Sequence, residues 1–172
     1  MLCWLTSRSF RLATAKRRCS RHSGGVKTLG VHSNMEISAQ VRNSAGAHQV
    51  SVSTSGTVRV LAVSAKANGQ GSSVNGGEFL TLALATCYCN DLFREAERLG
   101  IPLTGCEVVA KGQFNGVGLA AETVAYAARV ESPASAEDLE RLLSETDRRA
   151  EIHNTLRAGC SVQRVAWHEF LS

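Results

Sequence analysis

The order of elements in this sequence predicts an α+β fold, with antiparallel sheets wrapped around a long, central, buried helix. Three observations carry that expectation. Short Val-containing runs with alternating polar residues fill 37–66. A long helix-forming stretch follows at 78–99, and a second pair of alternating runs comes after it.

The first region reads as a meander of strands at 37–42, 49–54 and 57–66, with turn signals at 43–46 and at Ser55-Gly56. The Gly/Ser/Asn-rich stretch 67–77 is a loop. Nearly every position from Phe79 to Cys89 is apolar or small, so the first half of the helix at 78–99 is expected to be buried all round. Its second half is amphipathic and ends at Gly100, a C′ glycine before Pro102. Strands are expected at 107–114 and 122–131, joined through the Gly-rich 115–118. Ser135 is the N-cap of another helix, with Glu137 and Asp138 in its first turn. Leu139, Leu142 and Leu143 form that helix's apolar face. Residues 152–158 continue it or form a second short helix ending at Gly159, and 162–170 reads as a closing strand.

Charge divides the chain of 172 residues into two parts. Residues 1–34 hold seven Lys/Arg and no acid; the remainder has twelve basic and fifteen acidic residues. A mildly acidic body gives no electrostatic case for nucleic-acid binding. No apolar run approaches the roughly 18–20 residues that span a bilayer, so no membrane partner is expected. The Arg- and Ser-rich leader reads as a mitochondrial transit peptide, or as sequence upstream of a start at Met35. The domain proper is then 35–172. It is expected in the cytoplasm, or in the mitochondrion if the leader is a transit peptide.

Six cysteines are present: Cys3, Cys19, Cys87, Cys89, Cys106 and Cys160. Two fall in the leader, and four are too sparse for a disulfide-built scaffold. Cys87 and Cys89 stand two apart in one helix, so they point about 200° apart and cannot pair within it. Around Cys89 lie Leu82, Ala85, Leu92, Phe93 and Ala96, a core stripe. Around Cys87 lie Leu80, Ala83, Leu84, Asn90, Asp91 and Arg94, apolar on one side and polar on the other, as at the rim of a pocket. A reactive thiol needs access and positive charge. Cys87 is therefore the candidate for chemistry and Cys89 a small buried hydrophobe. Asp91, one turn on, would disfavour the thiolate. Cys160 follows Gly159 where the backbone can move, and would pair with Cys87 if the fold brings their Cα atoms within about 4.4–6.8 Å. Cys106 has no special context. Without Cys-x-x-Cys, and with the i, i+2 pair diverging, no metal is expected.

The stretch 75–103, NGGEFLTLALATCYCNDLFREAERLGIPL, resembles the central helix of the OsmC/Ohr-like family (osmotically inducible protein C and organic hydroperoxide resistance proteins). Glu78 and Cys87 stand nine apart, with Ala85-Thr86 before the cysteine. The second matching segment is 154–165, NTLRAGCSVQRV, where the family carries its second cysteine. The resemblance covers roughly 36–170. It implies an intertwined homodimer that reduces organic hydroperoxides. Cys87 would be the attacking thiolate and Cys160 the resolving thiol, with an external dithiol as reductant and no cofactor. It also implies an acidic helper where this chain has Gly77, and an arginine from the N-terminal strands, where Arg42 and Arg59 lie.

Three readings stay open: a thiol-dependent hydroperoxide reductase, a non-catalytic member binding a small apolar or electrophilic ligand in the dimer-interface pocket, and metal binding through Cys87, Cys89 or His153. His153 and Arg157 are expected on a surface helix, and Trp167 and Phe170 in the core or an interface.

Overall fold

The computed structural model describes residues 35–44 and 47–170; the leader at 1–34 lies outside them. Strands β1 (Ile37–Ser44), β2 (Ala47–Thr54) and β3 (Thr57–Leu61) form one antiparallel sheet, in the order β1-β2-β3. Thr54 pairs with Thr57, so the connection is a two-residue hairpin. Ser55 (φ 47°) and Gly56 (φ 84°) take the two positive-φ positions such a turn demands. Leu61 ends the strand five residues before the expected boundary.

Helix α1 (Gly76–Leu99) begins earlier than the sequence suggests. Asn75 and Glu78 form a capping box: the Asn75 side chain accepts from the Glu78 N–H at 3.0 Å, and Glu78 accepts from the Asn75 N–H at 2.7 Å. The far end closes on Gly100 in the left-handed region (φ 67°), while the Ile101 N–H reaches back to the Ala96 carbonyl. Strands β4 (Gly105–Phe114) and β5 (Ala121–Glu131) form a second antiparallel sheet, with a register shift at Gln113/Phe114. Helix α2 (Ala136–Arg149) is capped by Ser135, whose hydroxyl accepts from the Asp138 N–H. Helix α3 (Glu151–Ala158) follows after a break at the fully buried Ala150. A short α4 (Trp167–Phe170) ends the described chain.

The core lies between α1, the β4–β5 sheet and α2. Tyr88, Leu92, Ala96, Ile101, Leu142 and Ala150 are its buried members. From the strands, Cys106, Val108, Tyr126, Ala128 and Val130 pack against it. Burying a leucine as completely as Leu92 and Leu142 are buried stabilises by about 1.5–3 kcal/mol each. The fully buried Glu95 is matched by Arg98 at 2.6 Å and Arg149 at 3.4 Å, as a buried carboxylate requires.

Two expectations are corrected. The first half of α1 is not buried all round: Leu84 and Tyr88 are covered, but Leu82 is 57% exposed. Strands β4 and β5 and helices α2 and α3 pack on α1, and they leave Leu82 and Phe93 uncovered. The closing strand at 162–170 is absent. Residues 161–166 have no regular structure, and one helical turn follows. An alternating run becomes a strand only where a neighbouring strand accepts its hydrogen bonds, and none of the described strands pairs with it.

Candidate functional site

The break at Ala150 directs the start of α3 at α1, and Cys87 sits where the two meet. Its thiol donates to Asp91 Oδ2 at 3.4 Å and to Glu151 Oε2 at 3.8 Å. The Ile152 backbone N–H, in the first turn of α3, points at the sulfur. Arg94 bridges the two carboxylates, 2.9 Å from Asp91 and 3.2 Å from Glu151. Asp91 is buried, Cys87 is half-buried, and Arg94 remains half-exposed.

The electrostatics follow from these contacts. Burial pushes the Cys87 thiol above its ordinary range; the Ile152 N–H opposes this, and the Asp91 and Glu151 carboxylates add to it. Burial likewise raises Asp91, with the Glu151 charge adding and the Cys87 hydrogen bond and Arg94 opposing. For Glu151, burial pulls upward, but its own backbone N–H and Arg94 hold it below the usual carboxylate range. The resting state is therefore a protonated thiol beside two acids bridged by a single guanidinium. Cys87, Asp91 and Glu151 each bring one ligand atom within 4.8 Å of the others. Arg94 already holds both carboxylates, so a metal ion would compete with the guanidinium.

Cys160 is exposed just beyond the left-handed Gly159 at the far end of α3, and its thiol faces the Ser161 carbonyl at 3.8 Å. Both Cys87 and Cys160 are free thiols. An eight-residue helix is about 12 Å long, and α3 separates Cys160 from the Glu151 contact with Cys87.

A side chain at position 77 would press lightly on the helix cap and touch an aromatic ring. A Cβ there would lie 3.2 Å from Asn75 Oδ1 and 3.4 Å from the Phe114 ring. Gly77 lines an open cleft of about 600 Å³ together with Glu78, Thr81, Lys111, Phe114 and Leu119. Glu78 is held in the capping box and serves the helix terminus. Arg42 and Arg59 are exposed on the β1–β3 sheet.

His153 departs from the surface role expected of it. It is 3% exposed, its ring 5.4 Å from that of Tyr88 and 4.3 Å from that of Tyr126, with both ring nitrogens unpartnered. Burial holds it below its usual range; Arg157 adds to this and Asp147 opposes it. Arg157 is tied to Asp147 at 2.6 Å. Trp167 is 73% exposed. Glu151 carried no signal in the sequence, because nothing in a linear reading places residue 151 beside residue 87. On the opposite side of α1, Cys89 Sγ lies 3.3 Å from Cys106 Sγ, a pairing also hidden in the sequence.

Fold and site define an α+β protein built around a cysteine on its longest helix. The OsmC-like protein family model matches residues 69–164, and the chain belongs to that family. Among solved structures, it is similar to an OsmC-like protein from Mycoplasma pneumoniae, at 15% identity and a TM-score of 0.55, covering 74% of this chain and 90% of that one. A hypothetical protein from Aquifex aeolicus is similar at 13% identity and a TM-score of 0.53, covering 76% and 92%. An organic hydroperoxide resistance protein OsmC from Legionella pneumophila gives 16% identity and a TM-score of 0.47, covering 76% and 93%. No curated protein sequence matches the chain. Among the described residues, no helix is long and apolar enough to cross a membrane.

Proposed function

We propose that this protein is a thiol-dependent peroxidase that reduces organic hydroperoxides, with Cys87 as the reacting thiol and Cys160 as the resolving one. The observation that carries the reading is the setting of Cys87 inside the family-matched segment: half-buried, with the Ile152 N–H aimed at the sulfur and with Arg94 holding the two carboxylates that contact it. A backbone donor at a helix start favours a thiolate as it forms, and Arg94 offsets part of the charge of the carboxylates that oppose it.

The Cys87 sulfur attacks the outer oxygen of the hydroperoxide. An S–O bond forms, the O–O bond breaks, and the alkoxide leaves as the alcohol with the thiol proton. Cys160 then attacks the sulfenic sulfur; an S–S bond forms and water leaves. An external dithiol returns both cysteines to thiols by exchange. This step requires Cys160 to move from the far end of α3 to Cys87; the residues after it, 161–166, have no regular structure. A homodimer belongs to the same reading. Ile37, Val41, Val58 and Val60 on the β1–β3 sheet and Leu82 and Phe93 on α1 are large apolar residues left exposed in one chain, and a second copy would cover them.

The test is consumption of an organic hydroperoxide with a dithiol reductant. Cys87→Ser is expected to lose turnover. An unchanged rate in that variant would overturn the proposal.

A second reading is supported by Gly77 and by the raised pKa of Cys87: a non-catalytic member that binds a small apolar or electrophilic ligand. Saturable ligand binding that survives Cys160→Ser, with no peroxide turnover in the native chain, would favour it.

A further inference from the structure

The face of α1 opposite Cys87 carries a second sulfur pair. Cys89 on α1 and Cys106 at the start of β4 place their Sγ atoms 3.3 Å apart. A disulfide has an S–S length of about 2.0 Å, so the two sulfurs stand in contact and have to approach further for a bond to close. The two residues come from elements that pack directly on each other. Both are half-buried free thiols.

We propose that Cys89 and Cys106 form a second two-electron redox couple, separate from the Cys87 site, that closes to a disulfide under hydroperoxide and fastens α1 to β4. One thiol attacks the outer peroxide oxygen, the O–O bond breaks, and an alcohol leaves, giving a sulfenic acid. The other thiol displaces hydroxide from that sulfur, and water leaves with its proton. Two thiols are oxidised and one hydroperoxide is reduced. The proposal does not rest on the function assigned to Cys87.

The surroundings set its character. No ion pair involves either cysteine among the described residues, in contrast to the acid–Arg94 cluster around Cys87. Burial, and then the neighbouring Cys89 sulfur, push the Cys106 thiol up to about 11. Closure is therefore slow at neutral pH and faster as the pH rises, as befits a stoichiometric responder to oxidant. The bond would close the loop between the end of α1 and β4, constraining the helix that presents Cys87.

The experiment uses the full chain carrying Cys87→Ser and Cys160→Ser, treated with an organic hydroperoxide, blocked with an alkylating agent and digested with trypsin. Cys89 lies in the tryptic peptide 67–94 and Cys106 in 99–111. The expected product is these two peptides joined, reversible by dithiol, and lost in a further Cys106→Ser variant. The same linkage is sought in the native chain, so poor folding of the double variant does not decide the outcome. Both cysteines remaining alkylatable after excess oxidant would overturn the proposal. So would their oxidation singly, or linkage only through Cys3 or Cys19.

Discussion

The two faces of α1 place a cysteine in opposite kinds of surroundings. Cys87 meets the start of α3, where a backbone N–H, two carboxylates and a guanidinium converge. Cys89, two residues on, meets β4 and one other sulfur. The helix supplies the roughly 200° of separation; the partner element supplies the chemistry. A thiol among movable charges can be tuned by a change in their pairing, whereas a thiol facing another thiol in a charge-poor setting has mainly oxidation open to it.

The largest effect that would sharpen this contrast is on turnover. Cys87→Ser should lose hydroperoxide consumption, while Cys89→Ser should keep it near the native rate in a steady-state assay. Equal losses in the two variants would collapse the distinction between the faces.

The next effect concerns resting reactivity. With Asp91 as a like-charge neighbour that accepts the Cys87 proton, Asp91→Asn should lower the Cys87 pKa. The pH profile of alkylation should move downward, and Cys87 should react roughly three- to tenfold faster at neutral pH. Mass spectrometry of the peptide 67–94 reads Cys87 and Cys89 in one experiment; only Cys87 should respond.

A smaller effect belongs to His153, in the aromatic cluster behind the Cys87 face. Its folded-state pKa lies below the ordinary 6.5, so the unfolded chain binds the proton more readily. Its contribution to stability is complete above that value and is lost as the pH falls through 6.5 toward the folded pKa. Urea midpoints should decline over that window in the native chain. His153→Phe, which keeps a ring between Tyr88 and Tyr126, should flatten the decline. An unchanged slope would show that His153 is not the titrating group.

Much of the fold was legible because its signals are local. Gly100 and Ser135 stop and start helices through contacts within a few residues, and Ser55-Gly56 dictates a hairpin in the same way. Asn75 was assigned to the loop, although its spacing to Glu78 is that of a capping box; that pairing sets the true start of α1. The break at Ala150 has no glycine or proline to announce it. Ala150 takes an extended backbone there and is fully buried. The run at 162–170 has a strand's alternation, but strand formation depends on a neighbour that the local sequence cannot supply.

For the site, helical geometry was enough to separate Cys87 from Cys89 and to flag Asp91. It could not foresee Glu151, the Ile152 N–H or the Cys89–Cys106 contact, because each depends on which element packs against α1. The stripe assigned to Cys89 as core was half right: Leu92 and Ala96 are buried, while Leu82 and Phe93 are exposed.

The most direct test of the central claim is to ask which sulfur a hydroperoxide oxidises first. The full chain carrying Cys160→Ser, so that a sulfenic acid on Cys87 is not resolved by that residue, would be given one equivalent of organic hydroperoxide with a sulfenic-acid-selective diketone present. Tandem mass spectrometry of the peptide 67–94 would then locate the adduct. The prediction is an adduct on Cys87 that forms before any linkage of Cys89 to Cys106. A Cys87 that stays a free thiol while the peroxide is consumed elsewhere would contradict it.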